Sequence, residues 1–371
     1  MSPEELRHLL HMHPEPSGKE YETQKLLLKV LSEAGYSPLV VGETGVLALW
    51  SPLDDSYHLF RADIDALPVN EKTGWEYASK NEYMHACGHD VHTAILFGLA
   101  QRVSQLGPRI NLAFLFQPAE ETGGGAARCI EEIKELGIDL KDAVALHVTD
   151  EYPLGTVASR AGTLFSSAYE VDVVFRGRPA HVAEYTRGVD AIEVAADFLK
   201  KIYSMTSSDI LLRFGRINGG AARNIVAAEC KLEGTMRSSS WRQNEEFFSV
   251  IERLAETTAR FYNAVYEVKK GSAYPEVIVD ERLFGLLKSV CENLNIKFLE
   301  CDMKYTGEDF GFFSRFLPTL MFWLGTGTEG RRYGLHHPEF LPPDTVIKIG
   351  VEILWNLVTF YEEYTNNTGM K

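Results

Sequence analysis

Histidine concentrates in a few short stretches of the 371-residue chain, beside a cysteine and acidic residues. His85-Ala-Cys87-Gly-His89-Asp90-Val-His92 sets a thiol and an imidazole two residues apart about a glycine, a spacing that lets both turn toward one point. Gln117-Pro-Ala-Glu120-Glu121 offers adjacent carboxylates, Arg61-Ala-Asp63-Ile-Asp65 an acidic pair, His147 a lone imidazole, and Gly334-Leu-His336-His337-Pro a histidine pair. Each alone has a plain explanation: a cysteine packs as a small hydrophobe, a glutamate pair solvates a surface, and a strand-end histidine hydrogen-bonds in a core. Together, Cys87, His89, Glu121, His147 and one of His336 or His337 exceed the roughly four ligands that close a structural zinc, and so suggest either two divalent ions sharing ligands, the preferred reading, or one mononuclear site plus a residue that does not ligate. Thiolate, imidazole and carboxylate in one set suit Zn²⁺, Mn²⁺, Co²⁺ or Ni²⁺ better than Ca²⁺ or Mg²⁺. Two such ions about 3.5–4 Å apart share a water, lower its pKa from about 15.7 toward roughly 7, and polarise an amide carbonyl. Adjacent residues after a strand point in different directions, so Glu121 can bind metal while Glu120 stays free as the general base. Asp63 and Asp90 are then either the carboxylates that orient the ligating imidazoles or, equally, loop-capping residues.

These groups need a scaffold that gathers distant stretches, and the hydrophobic pattern supplies one. Helical spacing runs through residues 4–35, and Tyr57–Ala62, Ile110–Phe116 and Asp142–Val148 read as buried strands alternating with helices over Thr93–Leu106 and from Gly123 to Leu136. Alternating strands and helices predict an α/β domain with a mostly parallel sheet flanked by helices, whose ligands bind beyond the carboxyl ends of its strands. From about residue 168 the order becomes strand, helix, strand, strand, helix, strand, which predicts a ferredoxin-like α+β domain inserted into the first. Helical and strand patterns resume near Arg282–Leu294, Thr319–Leu324 and Thr345–Tyr364. The expected organisation is therefore a discontinuous catalytic, metal-binding domain over 1–167 and 279–371 with an inserted domain over 168–278.

Composition narrows the partners. With 45% hydrophobic and 24% charged residues the chain is an ordinary globular one, and its net charge of −15 disfavours nucleic acid or an anionic membrane and leaves a small molecule as the expected substrate. No stretch approaches the ~20 apolar residues of a membrane span, and the first residues lack the apolar core of a secretion signal, so a cytoplasmic location is expected. Five scattered cysteines do not suggest a disulfide framework there.

The chain resembles the aminoacylase and carboxypeptidase-like dinuclear metallohydrolases, in their amidohydrolase branch, over nearly its full length. The resemblance rests on Leu10-His-Met-His-Pro-Glu15, Arg61-Ala-Asp-Ile-Asp-Ala-Leu-Pro68, Met84-His-Ala-Cys-Gly-His-Asp90, Phe116-Gln-Pro-Ala-Glu-Glu121, Ala145-Leu-His-Val148, Gly234-Thr-Met-Arg237 and Gly307-Glu-Asp-Phe310. It implies metal ligation by Cys87, His89, Glu121, His147 and His336, the last because the family's ligand directly follows the leucine, with Glu120 as general base and Asp63 in a supporting catalytic role. It also implies that the inserted domain is a lid and homodimerisation surface, that His181 stabilises the oxyanion, and that Asn224 and Arg237 hold the substrate carboxylate. An imidazole donor and a guanidinium fork suit those tasks. The reaction implied is removal of an N-acyl group from an amino acid. Within the branch, Phe310-Gly-Phe-Phe313, Met321-Phe-Trp-Leu-Gly325 and Gly334-Leu-His-His337 point to an acetylated diaminopimelate of lysine synthesis as substrate. One departure is Val182-Ala-Glu184-Tyr185-Thr-Arg187 after His181, where the family has small residues and a proline. Two competing readings follow from the same residues: a cysteine amidase with Cys87 as nucleophile, and a small-molecule binder stapled by metal.

Overall fold

The computed structural model describes residues 1–53, 55–330 and 332–368, with side chains followed to Glu363. The chain begins with α1 (Pro3–Met12), opened by a capping box in which Ser2 Oγ accepts from Glu5 N–H and the Glu5 carboxylate accepts from Ser2 N–H. The helical pattern over 4–35 resolves into two helices, α1 and α2 (Tyr21–Glu33), because Pro14, Pro16 and Gly18 interrupt it. Then come β1 (Leu39–Val41), β2 (Gly45–Trp50), β3 (Tyr57–Asp63), α3 (His89–Leu106), β4 (Leu112–Gln117), α4 (Gly125–Glu135), β5 (Leu140–Pro153), β6 (Val157–Ser159) and β7 (Gly162–Phe165). Next are β8 (Ser167–Arg176), a short 3₁₀ turn (Val182–Arg187), α5 (Ala191–Met205), β9 (Ile210–Gly219), β10 (Glu229–Ser238), α6 (Trp241–Tyr262) and β11 (Val265–Tyr274). The chain finishes with β12 (Val277–Val279), α7 (Glu281–Asn293), β13 (Phe298–Glu300), α8 (Gly311–Ser314), β14 (Thr319–Gly327) and α9 (Thr345–Thr368).

Two compact units result. The first takes Met1–Leu164, Val277–Met303 and the chain from Asp309 onward; the second takes Phe165–Glu276 and Lys304–Glu308. The first unit is built on a ten-stranded sheet whose main path runs β1-β2-β4-β3-β5-β14-β12-β7, with β6 and β13 off it. β3 runs parallel to β4 and β5, and β14 parallel to β5 and β12, while β2 joins β4 antiparallel. Every residue of β4 and β14 is buried, as strands covered on both faces require. The mostly parallel sheet flanked by helices is the architecture expected from the sequence. Its register aligns Asp63 with Gln117, His147 with Trp323 and Arg61 with Ala145, so Asp63, Gln117 and His147 lie at about one level toward the same end of the sheet. His147 lies inside β5, which continues to Pro153, past the end that the sequence suggests.

In the second unit the order β8-α5-β9-β10-α6-β11 is the ferredoxin-like β-α-β-β-α-β, and its antiparallel sheet runs β11-β8-β10-β9. Val171, Val173 and Phe175 of β8 alternate inward and share a core with Phe198 and Ile202 of α5 and Ile251 and Ala255 of α6. Among the described residues no helix is long and apolar enough to cross a membrane.

Candidate metal centre

The turn into α3 aims the first two donors. Gly88 caps the helix in the left-handed region (φ 81°), and a Cβ there would lie 2.4 Å from Val148 Cγ2, so both dihedral and space call for glycine. With that turn made, Cys87 Sγ stands 3.4 Å from His147 Nε2, and the donor atoms of Cys87, His89 and His147 lie within 4.8 Å of one another. Two further groups of the same tightness overlap with it: Cys87 with Glu121 and His336, and His89 with Glu120 and Glu121. Cys87, His89, Glu121, His147 and His336 thus form one connected set.

The loop after β4 delivers the carboxylates through Ala119, itself left-handed at φ 54°, and Glu121 is fixed by its backbone N–H, which donates to Asp65 Oδ2 at 3.0 Å. Its Oε1 lies 3.5 Å from His336 Nε2 and 3.9 Å from His89 Nε2. His336 is held in the left-handed region (φ 66°) with its N–H donating to Ala86 O at 2.8 Å. Its neighbour His337 turns elsewhere: its ring stacks on Tyr333 and its Nδ1 accepts from Glu339 N–H. The structure therefore brings His336, and not His337, to the cluster.

Hydrogen bonds settle the tautomers. His89 Nδ1–H donates to Asp65, at 2.9 Å to the carbonyl and 3.1 Å to Oδ1, and His147 Nδ1–H donates to Val148 O at 2.8 Å. Both rings thereby turn Nε2 into the cluster. His89 Nε2 and Glu121 Oε1 are buried there without a hydrogen-bond partner, the state expected of atoms whose partner is a cation. Electrostatics agree. Burial opposes charge on His89, yet Asp63, Asp65 and Glu121 outweigh it and push the imidazole up to about 10, which reveals a surplus of negative charge at this point. Burial, with His92 beside it, holds His147 well below its ordinary range, so that ring is neutral and its lone pair available. The donor set and the unpartnered atoms fit divalent metal.

The orienting carboxylates differ from those expected. Asp65 holds His89, whereas Asp63 Oδ1 bonds to His92 Nδ1 at 2.6 Å, Asp63 Oδ2 accepts from Arg61 at 2.8 Å, and His89 Nε2 lies 3.7 Å away. Asp90 faces away from the ligands, onto Arg7 Nε at 3.0 Å and His11 Nδ1 at 2.8 Å. His92 is filled at both ends, since its Nε2 accepts from Val148 N–H at 2.9 Å; it braces β3 against β5 and offers no lone pair. Glu120 is 7% exposed, and its Oε1 receives a long contact of 3.5 Å from Asp309 N. Asp309 in turn accepts from Arg61 at 2.7 Å, from Gln117 and from Ala126 N–H, a buried bracket that fixes the approach to Glu120. Sequence reasoning gave no role to Asp65, His92, Gln117 or Asp309. The available signals were the Asp63-Ile-Asp65 alternation, which separates the two carboxylates, and the one-turn spacing of His89 and His92 on α3.

The second unit carries His181, Asn224 and Arg237. His181 caps the 3₁₀ turn, its Nδ1 accepting from Ala183 N–H, and it bridges to Ile225 while Val182 N–H donates to Asn224 O, so His181 and Asn224 are neighbours. Arg237 sits at the other end of β10, paired with Ala168 and Leu211, and its Nη1 donates to Tyr305 O at 2.7 Å. Beyond β10, the pairings Gly177–Ala228 and Ala180–Val226 carry the His181 strand pair onward, away from Arg237.

A mostly parallel sheet with this donor cluster at its edge, and a ferredoxin-like second unit, define a known class of hydrolase. Residues 59–359 match Peptidase family M20/M25/M40, and the chain belongs to that family as a metal-dependent amidohydrolase. Among curated relatives it is similar to the N-acetyldiaminopimelate deacetylase of Exiguobacterium sibiricum, 33% identical over 97% of this chain and 98% of that one. Among solved structures it superposes on a protein of methicillin-resistant Staphylococcus aureus at TM-score 0.91 with 26% identity, covering 97% and 96% of the two chains. It also superposes on a Bacillus subtilis protein described as a dinuclear metal binding peptidase from the M20 family, at TM-score 0.84 with 28% identity over 97% and 98% of the chains.

Proposed function

We propose that the protein hydrolyses the amide of an N-acetylated amino acid, with N-acetyldiaminopimelate the first candidate, to give the free amine and acetate. The observation that carries this reading is the buried, unpartnered pair His89 Nε2 and Glu121 Oε1 inside a Cys/His/Glu cluster with Glu120 beside it. The name shared by relatives spanning nearly the whole chain supports the acetylated diamino acid as substrate. Cys87, His89, Glu121, His147 and His336 would hold two divalent ions of the Zn, Mn, Co or Ni class, as overlapping donor groups that share Cys87, His89 and Glu121 suggest. Bound there, such ions supply Lewis acidity toward the amide carbonyl and favour ionisation of water.

Glu120 takes the proton of the attacking water and returns it to the leaving nitrogen as the C–N bond breaks, so the water oxygen ends in acetate and its protons in the products. Asp63, locked between Arg61 and His92, keeps the floor of the site fixed. His181 is proposed to stabilise the oxyanion, and Asn224 and Arg237 to hold the substrate carboxylate. His181 and Asn224 lie beyond the start of β10 and Arg237 near its end, about 25 Å of strand at ~3.3 Å per residue, more than one small substrate spans. If all three serve one substrate they come from two chains, which supports a homodimer formed through the second unit.

The test is chelation followed by reloading with each of the four metals, scored by acetate release from N-acetyldiaminopimelate beside N-succinyldiaminopimelate, hippurate and N-acetylmethionine. Glu120→Gln is expected to keep its metal and lose about 10²–10⁴-fold in turnover. The close Cys87–His147 contact favours a second reading, a thiol nucleophile with an imidazole base. Chelator-resistant activity blocked by a thiol alkylator would establish that reading and overturn the first.

A further inference from the structure

Most of the candidate donors sit on or close to regular elements: His89 opens α3, Cys87 lies in the turn before it, His147 is inside β5, and Glu121 follows β4 by one short turn. His336 does not. Among the described residues, 328–344 form no helix or strand, and His336 stands midway between the end of β14 at Gly327 and the start of α9 at Thr345. Packing does not hold it either, because its side chain is 54% exposed where that of Glu121 is 13%. A ligand on such a segment is placed by whatever fixes the backbone around it, since every residue left free carries entropy that metal binding would have to remove.

Asp150 does that on the upstream side. It lies three residues past His147 on β5 and is 6% exposed. Its Oδ2 accepts from Tyr333 N–H at 2.6 Å and from Gly334 N–H at 2.9 Å, just before His336 in the chain. Downstream, His336 N–H donates to Ala86 O at 2.8 Å beside Cys87, Lys72 N–H donates to Pro338 O at 2.8 Å, and Phe340 is buried. Between these anchors the backbone is left-handed at Gly334 (φ 83°) and again at His336 (φ 66°). A non-glycine residue stays in that region only when its surroundings hold it there. Both donors to the Asp150 carboxylate belong to this loop, and no cation pairs with it among the described residues, so these charge-assisted bonds are what compensates its burial. One strand therefore serves two donors: β5 carries His147 itself and holds the loop of His336 through Asp150.

We infer that Asp150 is a positioning residue for His336, and that through it Asp150 sets the occupancy of the metal position formed by Cys87, Glu121 and His336 but not of the one formed by Cys87, His89 and His147. The inference rests on the reading of two ions in one cluster and gives them an order. The first position is built from α3, its leading turn and β5; the second depends on a loop that a buried carboxylate keeps in place. Asp150 bonds to none of the donor atoms, so its effect on metal passes through the backbone of the loop.

The test is Co²⁺ titration of the chelated full-length protein, followed by its thiolate-to-metal and d–d absorption bands, in wild type, Asp150→Ala, Asp150→Asn, His336→Ala and the double variant with Asp150→Ala and His336→Ala. Wild type is expected to bind two Co²⁺ per chain. Asp150→Ala is expected to weaken the second ion by about 10–100-fold, the loss of charge-assisted bonds, and to leave the first within about threefold. Asp150→Asn, whose amide oxygen still accepts from both N–H groups without the charge, is expected to lose about 3–10-fold, and it carries the same comparison should the alanine variant not fold. In the His336→Ala background either substitution is expected to change the second dissociation constant by less than about threefold, because a donor already removed cannot be misplaced. Wild-type constants for both ions in Asp150→Ala, equal weakening of the two ions, or a loss that repeats in full in the His336→Ala background overturns the inference. One Co²⁺ per wild-type chain overturns it too, while hydrolysis by that one-metal protein leaves the amidohydrolase reading intact. No Co²⁺ bound by wild type, with activity that resists chelation, overturns both the inference and the metal-dependent reading.

Discussion

Asp65→Asn tests whether the metal donors are held by the hydrogen bonds seen here. The Asp65 carboxylate is fully buried and serves donors from separate segments: His89 Nδ1 at 3.1 Å on Oδ1, and Ser17 Oγ at 2.6 Å and Glu121 N at 3.0 Å on Oδ2. Asparagine is almost the same shape but has one acceptor oxygen and an NH₂. If that oxygen keeps Ser17 and Glu121, the NH₂ meets His89 Nδ1–H, and the imidazole must tilt away from it toward its remaining acceptor, the Asp65 carbonyl at 2.9 Å, which shifts the lone pair that faces the cluster. If it flips, the NH₂ opposes Glu121 N–H and shifts the other ligand. Either way one charge-assisted bond is lost, worth about 1.5–3 kcal/mol, and the loss falls on two candidate ligands at once. That corresponds to roughly 10–100-fold weaker metal binding, the usual effect of removing a ligand's outer partner. Competition against a chromophoric chelator measures it, and thermal unfolding of the chelated protein separates it from a loss of fold. Ser17→Ala, which removes a bond that touches neither ligand, is expected to change affinity by less than about threefold. Asp65→Asn with wild-type affinity, or the same loss in both variants, would refute this account of how the site is held.

Gly88→Ala should destabilise the protein by about 2–5 kcal/mol in denaturant unfolding, from a left-handed dihedral and the overlap with Val148, and should release metal with it. His11 offers a pH test. Burial opposes its charge, but Asp90 and Glu71 outweigh it and push its pKa from 6.5 up to about 9. A folded value above the unfolded one means its stabilisation is complete below about pH 6.5 and fades as pH rises through about 9, so Tm should fall across that window more steeply in wild type than in His11→Gln. Equal slopes in the two proteins would remove His11 from the account. Mixing His181→Ala protein with Arg237→Ala protein should restore up to about a quarter of wild-type activity if the second-unit residues act across a dimer, since random pairing leaves one of four sites intact. No recovery on mixing, with subunit exchange verified, would place all three in one chain's site.

The amino-acid sequence determined the chemistry on offer and the larger elements. Cys87 and His89 about a glycine, the Glu120-Glu121 pair and the alternation of buried strands with helices are local facts, written in residue type and spacing. The β-α-β-β-α-β order of the second unit was legible for the same reason, because its strands of ten residues are long enough to show their period. Strands of three residues such as β1, β6, β12 and β13 were not, and the helical pattern at the start hid a proline-containing break. Tertiary structure alone decided that Asp65 rather than Asp63 or Asp90 orients His89 and that His92 is filled at both nitrogens, whereas the inward turn of His336 rather than His337 was open on residue type and implied by the resemblance. Hydrogen-bond partnership depends on which strands abut and on the dihedral angles of a few turns, and distances of about 3 Å between residues far apart in the chain are set by packing.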